Sequence, residues 1–133
     1  MRVNVLDEWI NSGEPKKVQA ASYLLRDVPK SFVFTHVEFI SNLIEQADKL
    51  GDDCYRAVSN DLFQSFAINE YSEILGETST ENDYITLRDR VTNIVEQLEF
   101  GSPSHQFYES ILNEIKSNIK FWIALWEEMN HEI

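Results

Sequence analysis

Glycine punctuates this chain at the points where helical periodicity stops. Gly13-Glu14-Pro15 and Gly101-Ser102-Pro103 each close one helical pattern and open the next, and Gly51-Asp52-Asp53 does so without the proline. Glycine ends helices because it enters the left-handed conformation at little cost. Proline fits the first turn, where its missing N–H would have had no partner. Between these points the apolar residues recur at helical spacing. The chain has only 4 Gly and 3 Pro in 133 residues. That is too little punctuation for a many-turned β protein, and it predicts long helices joined into hairpins.

The pattern predicts about six helices. The first covers about Val3 to Asn11, with Val5, Leu6, Trp9 and Ile10 apolar. The second runs from about Glu14 to Asp27, with Val18, Ala21, Leu24 and Leu25 on one face, and Pro29 closes it. The third spans roughly Ser31 to Leu50 on a stripe of Phe32, Phe39, Ile40, Leu43, Ile44 and Ala47. The fourth, from about Asp52 to Ala67, faces inward through Tyr55, Val58, Leu62 and Phe66. Residues 68–80 carry a weak pattern, with a short helical piece around Tyr71, Ile74 and Leu75 and then a loop to Thr80, an N-cap for the fifth helix. The fifth holds Leu87, Val91, Ile94, Val95 and Leu98; Ser102 caps the sixth, which continues to about residue 130. The expected core is Trp9, Val18, Ala21, Leu25, Ile40, Leu43, Val58, Leu62, Leu87, Val91, Ile94, Ile111, Ile115 and Ile119.

A length of 133 residues fits one domain, residues 1–133, large enough to bury a core. The net charge of −12 is uneven: −3 over residues 1–66 and −9 over residues 67–133. Nucleic-acid binding needs a basic stripe, and an anionic membrane attracts basic surfaces, so neither is an expected partner. The acid serves solubility, or it attracts a basic protein. Cys54 is the only cysteine, which rules out an internal disulfide and favours a reducing, cytoplasmic setting. The first eight residues meet acid before any apolar run long enough for a signal peptide. The longest continuous apolar run, Phe121 to Trp126, is far short of a membrane span.

Shifting the second helix by 37 residues lays Val18 on Tyr55, Ala21 on Val58 and Leu25 on Leu62. Such a period suggests stacked two-helix units. Pro15-Lys16-Lys17-Val18-Gln19-Ala20-Ala21-Ser22-Tyr23-Leu24 resembles the first helix of a HEAT-type repeat, with its early proline and its core-facing Ala and Leu. Gln19 stands where that family usually has Arg; the second unit, Tyr55-Arg56, keeps the Arg beside an aromatic residue. The resemblance covers about half the chain. It implies an all-α superhelix of the HEAT or armadillo kind, against which an irregular bundle is the alternative, and a surface for binding protein. It implies no reaction.

Chemical motifs are sparse. Glu128-Met129-Asn130-His131 has the Glu-x-x-His spacing of di-iron bundles, but no second copy exists. His36-Val37-Glu38 matches the core of a zinc deaminase and lacks the paired cysteines; His36 reads as a surface or edge residue. His105 falls in the first turn of the sixth helix, and Cys54, beside Asp52 and Asp53, reads as an inert thiol. Gly76-Glu77-Thr78-Ser79-Thr80 lacks the Lys and second Gly of a phosphate loop. No catalytic residue, metal or cofactor is expected.

The last helix carries the strongest functional signal. Phe107, Ile111, Ile115, Ile119, Trp122 and Trp126 form a helical stripe, while Phe121, Ile123, Leu125 and Met129 add apolar residues on its other sides. A terminal helix with an apolar back needs either central packing or a second contact. The residues expected to meet a partner are Phe121, Trp122, Leu125, Trp126 and Met129. The expected function is a non-enzymatic protein–protein interaction module, acting on a partner or by self-association. The alternative is a small acidic inhibitor, of the immunity type, that neutralises a basic protein.

Overall fold

The computed structural model describes residues 3–28, 32–66 and 81–131. The fold is all-α, and the described residues form seven helices. They are α1 (Val3–Ile10), α2 (Pro15–Leu24), α3 (Phe32–Thr35), α4 (Val37–Lys49), α5 (Asp52–Phe66), α6 (Glu81–Gln97) and α7 (Pro103–His131). A short 3-10 turn, Leu25–Asp27, extends α2. No strand occurs among the described residues. The weak pattern at residues 68–80, including Thr80, lies outside them.

The punctuation works as its chemistry requires. Gly13, Gly51 and Gly101 all have positive φ, at 74°, 113° and 79°. Pro15 and Pro103 begin α2 and α7. Ser102 Oγ accepts the backbone N–H of His105 at 3.1 Å, the N-cap bond that satisfies a donor at the start of a helix.

Helices α2, α4 and α5 pack on one another, and α1 lies chiefly against α2. Helix α7 makes its largest contact with α6 and a smaller one with α4, so α4 links the two halves of the core. Val18, Ala21, Leu25, Ile40, Leu43, Val58, Leu62, Leu87, Val91, Ile111, Ile115 and Ile119 are all buried. Trp9 and Ile94, expected in the core, are half-buried and pack against it. The core also takes in Leu6, Ile10, Val33, Phe34, Ile44, Ala47, Cys54, Phe107, Tyr108 and Leu112.

The third helix of the sequence pattern is two helices. The chain leaves helical geometry at His36, where φ is −123° and ψ is 51°. His36 N–H still closes α3 on the Phe32 carbonyl at 2.9 Å, and the His36 carbonyl opens α4 by accepting from Ile40 N–H at 3.0 Å. In an unbroken helix the Val33 and Phe34 carbonyls would accept from residues 37 and 38. Here Val33 accepts from Tyr108 Oη at 2.7 Å, and Phe34 from Arg90 Nη2 at 3.3 Å. The break is therefore held by side chains from α6 and α7, which allows Val33 and Phe34 to be buried. His36 itself is exposed and stacks on Phe32, with ring centroids 4.0 Å apart.

Candidate functional site

The two sides of α7 differ in what they face. Phe107, Tyr108, Ile111, Leu112, Ile115 and Ile119 point into the core. On the other side Lys116, Ser117, Lys120, Phe121, Ala124, Glu127 and Glu128 are exposed. At about 100° per residue these seven fall within an arc of about 140°. They run along the helix in a fixed order: two cations, then Phe121 and Ala124, then two carboxylates. Phe121 is 63% exposed, a large apolar surface given to solvent.

The cationic end borders a groove of about 530 Å³ between α6 and α7, lined by Arg88, Asp89, Thr92, Lys116, Ile119 and Lys120. Ile119, buried, forms its floor. Arg88 donates through Nε and Nη2 to Asp89 Oδ1, at 3.2 and 3.1 Å, and is occupied by that neighbour. Thr92 Oγ1 donates to the Arg88 carbonyl at 2.8 Å. Neither Lys116 nor Lys120 makes an ion pair among the described residues. They stand four residues apart, a like-charge spacing that destabilises a helix by a few tenths of a kcal/mol, about 0.2–0.5. No carboxylate stands three or four residues from either of them.

Of the residues expected to meet a partner, Phe121 lies on this exposed face. Trp122, Leu125, Trp126 and Met129 belong to the same helix, and their side chains lie outside those the structure describes. Sequence reasoning missed Lys116, Lys120 and Arg88. The signal was present: residues 67–133 hold four basic residues, and three of them line this one groove.

A second concavity, about 280 Å³, lies between α5 and α7, with Tyr55, Phe63 and Phe107 as its aromatic walls. The Ser59 hydroxyl at its edge is buried without a hydrogen-bond partner among the described residues.

The remaining chemical candidates stay apart. Cys54 is buried, with Sγ 3.9 Å from the Pro15 carbonyl; burial pushes its thiol pKa up, against a smaller opposing effect of a Gln19 hydrogen bond. A raised pKa disfavours the nucleophilic thiolate. His105 is buried at the start of α7, with Nδ1 3.7 Å from Glu109 Oε2 and its ring beside Phe100. Among the described residues no three His, Cys, Asp or Glu side chains gather to hold a metal ion. No described helix is long and apolar enough to cross a membrane.

No family model, curated protein or solved structure matches this chain at a significant level. The class is defined by the fold alone, an all-α protein of packed helices.

Proposed function

We propose that this protein is a non-enzymatic protein–protein interaction module, and that it docks through the exposed face of α7. The observation that carries this reading is the pairing of Phe121, 63% exposed, with two lysines one turn apart that make no ion pair among the described residues. No carboxylate stands at helical spacing from either lysine, although the chain carries a net charge of −12. A site that combines exposed aromatic area with unmatched charge resembles an interface before its partner arrives. The HEAT-like reading of α2 and α5 is part of the same proposal. These helices pack directly on each other, as stacked repeat units would.

The test places a photo-crosslinking residue at position 124 on α7, or at position 56 on α5, in the full chain within its own host cells. Discrete protein adducts from position 124 and none from position 56 are expected. No adduct at position 124, or the same adducts from both positions, would overturn the reading.

A second reading, an acidic inhibitor of a basic protein, is favoured by charge. The carboxylates of Asp48, Asp52 and Asp53 are exposed around the α4–α5 turn in a chain of net charge −12. An inhibitor of this kind associates faster at low salt, and its association rate falls steeply as ionic strength rises. Docking through the α7 face, which joins Phe121 to only a few charges, falls less steeply over the same range.

A further inference from the structure

The exposed face of α7 is complementary to itself. Taking residue 122 as a midpoint, Lys116 lies six residues before it and Glu128 six after. Lys120 and Ala124 lie two residues to either side. We propose that a second copy of this chain occupies this face, with the two α7 helices crossing antiparallel about residue 122. This rests on the interaction reading above and names its partner.

An isologous pair puts each residue of one copy against its counterpart in reversed order. Like edges of the exposed arc meet in such a pair, so Lys116 of each protomer faces Glu127 of the other, one residue from its axial counterpart, with Glu128 at the same level on the far edge. Lys120 reaches Glu127 one turn away, an axial offset of about 4.5 Å at about 1.5 Å per residue, within the reach of a lysine stem. Ala124 lies near the centre of the exposed arc, and its small side chain lets the helices approach over the Lys120 stems. Phe121 of each copy lies beside the two-fold axis and loses its contact with water. The two lysines of each copy then gather about Glu127 of the other, where all three share one edge of the arc.

The net charge of −12 per chain opposes any dimer. At about 0.15 M salt the Debye length is about 8 Å, so acids spread over the rest of the surface are largely screened. The facing pairs, at contact distance, keep more of their attraction.

The test is the solution mass of the full chain at about 0.15 M salt, from about 1 μM to about 1 mM, by sedimentation equilibrium. Wild type is compared with Lys116→Glu/Lys120→Glu, with Glu127→Lys/Glu128→Lys, and with the two variants mixed. All four positions are exposed, and circular dichroism confirms that each variant is folded. The expected result is a wild-type dimer. Each variant alone sets like charges against each other and weakens it by about 100-fold or more. The equimolar mixture restores a heterodimer, because an all-acidic face then meets an all-basic one.

A wild-type monomer throughout the range would overturn self-pairing. So would a dimer that both variants leave intact, or a mixture that does not reassociate. Crosslinks from position 124 to a different protein, beside a monomeric wild type, would leave the interaction module standing and remove the second copy as its partner.

Discussion

The Tyr108 hydroxyl donates to the Val33 carbonyl at 2.7 Å across 75 residues of sequence, and the bond is fully buried. It satisfies a carbonyl freed by the helix break at His36, and so ties α7 to α3. Tyr108→Phe removes the donor and leaves that carbonyl buried without its partner. Such a loss costs about 1–3 kcal/mol. Urea denaturation should show the midpoint falling with little change in slope, because the same core is exposed on unfolding. A change within about 0.5 kcal/mol, the range of surface substitutions, would mean that the break does not depend on this bond.

The same residue sets an alkaline limit on stability. Burial raises the Tyr108 pKa well above its ordinary value of 10.0. Below about pH 10 both folded and unfolded chains hold this proton, so no stability depends on it. Above that, the unfolded chain releases the proton while the folded chain keeps it. The unfolded state then binds fewer protons, and stability falls as pH rises. Stability measured between about pH 9 and pH 11 should decline in the wild type, and less steeply in Tyr108→Phe. Parallel declines would show that other groups dominate the alkaline limb.

How far the sequence foretold this fold depends on how local the determinants are. The turns at Gly13, Gly51 and Gly101 and the cap at Ser102 are short-range chemistry, and they stand where the residues imply. The buried stripe from Ile111 to Ile119 follows from period alone. The break at His36 does not. Apolar residues carry the helical period through it, and what satisfies the freed carbonyls comes from Arg90 and Tyr108, 56 and 75 residues away. Trp9 and Ile94 show the same limit, since period gives a face and tertiary packing decides how much of it is covered. At the candidate site, Phe121 was legible as an apolar residue on the back of its helix. The lysines were not singled out, because a charged pair reads as a solvated face until packing of α6 on α7 brings Arg88 to the same groove.

The punctuation glycines can be tested by adding one methyl group. At Gly101 φ is 79°, and a Cβ built there meets nothing within 4 Å. Gly101→Ala therefore isolates backbone strain from steric clash. It should destabilise by about 1–2 kcal/mol, the cost of holding an L-residue in the left-handed region. A neutral result in thermal or chemical denaturation would show that the turn relaxes and that the glycine is not required between α6 and α7.

Leu25 tests the packing of α2 on α5. It is fully buried in the 3-10 turn that extends α2, within the continuous hydrophobic core. Leu25→Ala should cost about 2–5 kcal/mol, the sum of lost apolar burial and the cavity left behind. A loss of that size is a large fraction of the stability of an ordinary domain, about 5–15 kcal/mol, so the variant should also melt at a visibly lower temperature. A loss no larger than that of a surface substitution would show that the α2 face is not the one buried.

Ser59 gives the opposite sign. Its hydroxyl is buried on α5 without a hydrogen-bond partner among the described residues, beside the aromatic walls of Tyr55, Phe63 and Phe107. Burying an unsatisfied hydroxyl costs about 1–3 kcal/mol by mutational measures. Ser59→Ala deletes the polar atom while adding nothing to the space around it, and alanine also has the higher helix propensity. The variant should be at least as stable as the wild type and up to about 1 kcal/mol more so, a modest gain because the lost packing of one oxygen offsets part of it. Paired urea titrations of the two proteins decide the matter. A destabilisation of about 1 kcal/mol or more would show instead that the hydroxyl is satisfied in solution, by an ordered water at the mouth of the α5–α7 concavity.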